Sequence, residues 1–161
     1  MRAVLRGAVF VTVLAGCSRP SSAPPAPVQA AAPAPKESWG ASMAEVGRRF
    51  ELVGRAALAG RTDFARYELE EIGEVFEDAL PNAEPPHEGH PEVLPVMRPA
   101  FLATNLPDLR RAVDARDRAG FTAAFARTAQ ACNGCHTASG HPFIEIPETP
   151  GVPVPRLDPV P

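Results

Sequence analysis

The sequence predicts an all-α protein: an antiparallel, up-down-up-down four-helix bundle over residues 38–141, with a disordered N-terminal tail and a Pro-rich C-terminal tail. Three observations lead there. Apolar residues recur at alternating spacings of three and four in successive segments, the seam of packed helices. Ala, Leu, Glu and Arg are common between residues 38 and 141, whereas aromatic and β-branched residues are sparse, which favours helix over strand. Many of the 20 prolines gather in residues 20–35 and 147–161, where the chain stays extended and cannot bury a core. The segment between is long enough for a modest core, and short loops favour antiparallel neighbours.

The first element is "MRAVLRGAVFVTVLAGC". Arg2 and Arg6 precede a short apolar run and then small residues, the pattern of a secretory signal and not of a spanning helix. Residues 1–16 are thus expected to be a signal peptide. Residues 17–37 follow as a Pro/Ala-rich tether.

The first helix carries Met43, Val46, Phe50, Val53 and Ala57 at spacings 3, 4, 3, 4. Ser42 and Glu45 can form a capping box at its start, or Ser38 can begin it a turn earlier, and Gly60 ends it. The second helix starts with Thr62 or Asp63 as cap, and its seam is Ala65, Leu69, Ile72, Phe76 and Ala79. Pro81 is expected to close it. Its other face holds Glu68, Glu70, Glu71, Glu74, Glu77 and Asp78, read as a solvated face with Arg66 supporting Glu70, or as a docking patch for a basic partner. Residues 81–90 form a loop. A third helix starts near Pro91 and is expected to break at Pro99 and Pro107, with Thr104 or Asn105 capping its second half, which bears Leu106, Leu109 and Val113. Residues 118–120 read as a tight turn. The fourth helix bears Phe121, Phe125, Thr128, Cys132 and Cys135, and Gly140 stops it. Residues 142–161 are then an extended tail.

Chemistry concentrates in "ACNGCH", residues 131–136. C-x-x-C-H is the attachment signature of a c-type haem. On a helix, Cys132 and Cys135 share a face, and His136 lies about a turn beyond Cys132. Two thiols so placed can each add to one vinyl group of a porphyrin, and the imidazole can ligate the iron as proximal ligand. Other readings explain less. Zinc needs four ligands, and only His87, His90 and His141 could join this motif. A thioredoxin-like pair belongs at a helix N-terminus in a βαβ unit. A structural disulfide leaves His136 without a role. In an up-down-up-down order, the end of the fourth helix meets the start of the first, the end of the second and the start of the third. The cofactor pocket is therefore expected to use Met43, Val46 and Phe50, then Val75, Phe76 and Leu80, then Val93, Met97 and Phe101.

The net charge of −3 gives no reason to expect nucleic acid as a partner. No hydrolase triad, phosphate loop or paired-carboxylate site is evident, so an electron carrier or gas binder is expected rather than an enzyme. Peroxidase chemistry would have only His87 and His90 for a distal acid/base pair.

Two resemblances extend this reading. "LAGC", Leu14 to Cys17, resembles a bacterial lipobox, which implies cleavage before Cys17, lipidation of its sulfur and a periplasmic location. Ser18 then favours outer-membrane anchoring. The four-helix pattern ending in C-x-x-C-H resembles the cytochrome c′ and cytochrome c-556-like superfamily of small bacterial monohaem proteins. The matching residues are Ala131 to His136, Gly140, Phe143 and Ile144, with "DFARYELEEIGEVFED" in the second helix, over residues 40–146. The resemblance implies one covalent haem c and electron transfer, with Met43 as distal ligand. The alternatives are Met43 as core filler, an open apolar distal face that binds NO or CO, or Met97, His87 or His90 as sixth ligand. Gas-binding members carry a basic residue one turn after the haem histidine; here Gly140 stands there, beside His141. Members often pair through their first two helices, which implies a homodimer. "HPFIEIP", residues 141–147, either covers a cofactor edge or seals the end of the bundle.

Overall fold

The computed structural model describes residues 36–154. The expected signal peptide and most of the tether, with the lipidation residue Cys17, lie outside the described residues, as do residues 155–161. The described chain is helical, and its only β feature is an isolated parallel bridge between Ser38 and Glu84. No helix among the described residues is long and apolar enough to cross a membrane.

Four continuous helical runs form the fold. The first, α1, is Trp39–Leu58. Ser38 caps it, its hydroxyl accepting from the Ala41 N–H at 3.2 Å, so Ser42 sits inside the helix and Glu45 is free to pair with Arg48 and Arg49. The second, α2, covers residues 62–82 in three parts: α-helical Thr62–Glu74, a π-helical turn Val75–Ala79, and Leu80–Asn82. Neither Thr62 nor Asp63 caps it. Arg61 occupies the N-cap position without a side-chain bond, while Asp63 pairs with Arg66. The third, α3, covers residues 93–115: Val93–Ala100, a π turn Phe101–Asn105, and Leu106–Ala115. The fourth, α4, is Arg118–Ala138. Residues 118–120 are its first turn and not a separate one. Asp117 caps it by accepting from the Ala119 and Gly120 N–H groups, both at 3.1 Å, and Arg116 makes the reversal at φ 54°.

The prolines do not break the helices as their chemistry alone suggests. Pro81 and Pro107 each follow a π turn and a leucine. There the Leu80 N–H reaches the Val75 carbonyl and the Leu106 N–H reaches the Phe101 carbonyl, five residues back. The wider turn accommodates the ring; α3 runs on past Pro107 to Ala115, whereas α2 ends at Asn82, one residue past Pro81, which closes it as expected. Asn105 keeps helical backbone angles and caps nothing. Pro99 lies on an exposed face of α3 beside exposed Pro95, so the carbonyl deprived of its partner there is open to water.

Helix α1 packs on α2, α2 on the second half of α3, α3 on α4, and α4 on α1. One core results. The seam positions Val46, Phe50 and Val53 of α1, Ala65, Leu69, Ile72 and Phe76 of α2, and Phe121, Phe125 and Thr128 of α4 are buried in it with Leu109 and Val113. Phe50 and Phe125 stack with ring centroids 4.2 Å apart. The Thr128 hydroxyl donates to the Ala124 carbonyl at 2.9 Å, so its burial leaves no orphaned group.

The acidic face of α2 is only partly solvated. Glu68 is 3% exposed, and Arg49 reaches from α1 to Glu68 at 2.9 Å and Glu71 at 2.8 Å. Arg66 turns to Asp63 and to Asp114 of α3 rather than to Glu70. Glu70, Glu74, Glu77 and Asp78 stay exposed.

The C-terminal segment is not a loose extension. Residues 142–154 contain no helix, but Ile146, Pro147 and Pro150 are buried. Gly151 brings its backbone N to within 3.0 Å of where a Cβ on Gly54 would sit, so Gly54 has no room for a side chain, while Gly151 itself is needed for its φ of 89°. The Val154 N–H donates to Glu51 at 3.2 Å. Apolar surface on Ile146 and Val154 drives this docking, a signal that proline content conceals.

Phe125 is 2% exposed and touches both α1 and its own helix through ring contacts. Phe125→Ala is expected to lower the free energy of unfolding by about 3–5 kcal/mol, measured by urea denaturation.

Candidate functional site

Beside the second half of α4 lies a cavity of about 1010 Å³. It stands at the upper end of the roughly 300–1,000 Å³ of ordinary ligand sites and has room for a large guest. Its walls are mostly apolar, with Val46 and Phe50 from α1, Leu69, Ile72 and Phe76 from α2, and Leu94 and Phe101 from α3. The rings of Phe76 and Phe101 stack across the two π turns, 4.5 Å between centroids.

Cys132, Cys135 and His136 all line this cavity. Helical spacing places them there: Phe121, Phe125 and Thr128 fill the core along the same seam, and the cysteines continue it to where the core gives way to open space. Both thiols are free and half-buried. Burial, reinforced by the neighbouring Cys135, pushes the Cys132 thiol up to about 12, and burial also raises Cys135, against an opposing contact with the Ser139 hydroxyl. Sulfur in this wall is therefore neutral at pH 7.

His136 is held by its backbone surroundings. Its Nδ1 lies 2.9 Å from the Ile144 carbonyl oxygen, which can only accept, so Nδ1 carries the proton. The lone pair is then on Nε2, free for a Lewis acid. Burial, the largest influence, and nearby His141 lower the His136 pKa, while the Ile144 carbonyl opposes them; the net direction favours the neutral imidazole a metal needs.

The accepting carbonyl is supplied by the segment after α4. Gly140, at φ 85°, reverses the chain, and "HPFIEIP" folds back along the helix. Asn133 fastens it from both sides: its Nδ2 donates to the Ile146 carbonyl at 2.9 Å and its Oδ1 accepts from the Ile146 N–H at 2.7 Å. His141, Phe143, Ile144 and Ile146 thereby form a cavity wall. From the other side, the His90 N–H donates to the Ser139 carbonyl at 3.0 Å. Gly89, at φ 84°, permits that approach: a Cβ there would fall 2.4 Å from the Ser139 oxygen.

Met43 is half-buried, packs on the core and lines the cavity. Half-buried Met97 and exposed His90 also line it. His87 does not line it. Nor do Val75, Leu80 and Val93. Leu80 follows the π turn, whose extra residue rotates it by about 100° into the core, where it is 1% exposed. Leu94, one residue on, faces the cavity in place of Val93. Asn133, the Ile144 carbonyl and Arg98, which also lines the cavity, had no assigned role in the sequence reading. Asn133 is one of the two positions that C-x-x-C-H leaves unspecified, and its partner lies thirteen residues away with no periodic relation to it.

Among the described residues no three His, Cys, Asp or Glu side chains come together as a metal cluster. Comparison with protein-family models, curated proteins and solved structures finds no match to this chain.

Asn133→Ala strips two partners from the Ile146 backbone. It is expected to cost about 1–3 kcal/mol of stability and to speed hydrogen exchange at the Ile146 amide, while exchange in the middle of α2 stays slow.

Proposed function

We propose that this chain is a monohaem c-type cytochrome that transfers electrons, with one haem c joined through thioethers to Cys132 and Cys135 and His136 as proximal axial ligand. The observation that carries the reading is the joint placement of the two thiols and the imidazole on one wall of the 1010 Å³ cavity, with His136 Nδ1 committed to the Ile144 carbonyl. The residues fit the group: the cavity is wide and apolar, the sulfurs are neutral and unpaired, and Nε2 keeps its lone pair. Bound haem supplies a one-electron iron couple whose potential follows its axial ligands and the polarity around it.

The chain's own residues do the rest. Val46, Phe50, Phe76 and Phe101 exclude water from the pocket. Ile144 sets the His136 tautomer and makes the imidazole a stronger donor. Met43, on the cavity wall and near the start of α1, is the distal ligand in this proposal, and a thioether sulfur there raises the potential. An antiparallel, up-down-up-down order of the helices belongs to the same reading. It is supported by the Trp39 Nε1–H bond to the Leu80 carbonyl, 3.0 Å, and by the paired backbone bonds of Glu37 and Trp39 with Glu84.

A basic redox partner suits the exposed carboxylates Glu70, Glu74, Glu77 and Asp78 of α2. Lipidation at Cys17, periplasmic residence at the outer membrane and pairing of two copies through α1 and α2 complete the proposal, on the sequence resemblances alone.

Absorption spectra of periplasmically produced protein test the ligation. The wild-type ferrous protein is expected to be low-spin and to ignore carbon monoxide. Met43→Ala is expected to convert it to a high-spin form that takes up the gas rapidly. A wild-type spectrum that is already high-spin and gas-binding would replace electron transfer with NO or CO binding at an open site, and a Met43→Ala spectrum identical to wild type would remove Met43 as ligand.

A further inference from the structure

We propose that Arg98 is the anion-binding residue of the cavity and takes a carboxylate of the guest, which, on the haem reading above, is a porphyrin propionate. Two guanidinium groups line the cavity, Arg48 and Arg98. Arg48 is neutralised by its own helix: Nε and Nη2 donate to the two oxygens of Glu45 at 2.9 and 2.8 Å. Arg98 is half-buried and has no carboxylate partner among the described residues. A half-buried cation against an apolar wall, without a counter-charge, is costly unless an anion arrives with the ligand.

What holds Arg98 there is the π turn of α2. The Leu80 N–H, which an α-helix would give to the Phe76 carbonyl, goes to Val75 instead. The next donor along the helix is missing because residue 81 is proline. The Phe76 carbonyl is left without a helical partner, and Arg98 Nη1 donates to it at 3.0 Å. That bond uses one of five guanidinium N–H groups and orients the planar fork, with the remaining donors unassigned. A neutral carbonyl anchor leaves the positive charge intact, whereas a carboxylate would have cancelled it.

The test separates a charge that binds the guest from an arginine that only caps Phe76. Full-length chains carrying Cys132→Ala and Cys135→Ala are titrated with ferric protoporphyrin IX and with its dimethyl ester, which lacks the two negative charges. Arg98→Gln is expected to weaken binding of the free acid about tenfold and leave the ester unchanged. Pro81→Ala restores an N–H that can reach the Phe76 carbonyl. The double variant Pro81→Ala/Arg98→Gln, with thermal stability near that of the parent, is expected to keep the tenfold loss, and Arg98→Lys to recover much of it. Equal losses for acid and ester, no loss for either, or a loss that Pro81→Ala reverses would each overturn the proposal. The haem reading itself fails separately: wild-type chain matured in a haem-attaching periplasm would then carry no added haem mass, and the assignment of Arg98 to a propionate would fall with it.

Discussion

The contact on which the site depends is the bond between His136 Nδ1 and the Ile144 carbonyl. It fixes which imidazole nitrogen keeps a lone pair and which way the ring faces. It exists only because Gly140 turns the chain back and Asn133 grips Ile146 on both backbone atoms. A motif of six residues is thereby completed by a segment outside the helix that bears it. The same segment lines the cavity with Phe143 and Ile144, so one piece of chain orients the imidazole and walls the cavity beside it.

The two π turns form a second constraint. They seat Pro81 in the last turn of α2 and let α3 pass Pro107 without breaking, and they place Phe76 and Phe101 ring against ring at the cavity. The local irregularity has a chemical by-product, a carbonyl on Phe76 that the helix cannot satisfy. Arg98 fills that vacancy, and the fold thus delivers to an apolar pocket a cation that has no carboxylate partner among the described residues. Sites of this kind, in which backbone departs from its regular pattern next to a ligand cavity, are where π turns are commonly found.

Much of the arrangement was legible before any coordinates. Seam spacing in α1, α2 and α4 identifies Val53, Leu69 and Phe125 as core, because burial on one face of a helix imposes a period that composition cannot hide. Met43, Val46, Phe50, Phe76 and Phe101, expected from their places near the helix ends, line the same cavity as the cysteines. Three things were not legible. The continuity of α3 defies the rule for isolated prolines: at Pro107 the compensation is a change in helix type, and at Pro99 it is an exposed face. The docking of residues 142–154 rests on Asn133, Gly54 and a few apolar side chains scattered among prolines. Leu80 was misplaced because the π turn before it shifts the register, a shift with no periodic mark in the sequence, and Val93 because α3 turns Leu94, the next residue, to the cavity.

The central claim is covalent attachment of one porphyrin at Cys132 and Cys135. Its most direct test is the intact mass of the mature chain, produced in cells able to attach haem to C-x-x-C-H proteins and compared with a Cys132→Ala/Cys135→Ala chain from the same cells. The account predicts the mass of one haem on the first and none on the second after denaturation. A wild-type chain that denatures to the mass of its polypeptide alone, plus whatever its N-terminal processing adds, would contradict it.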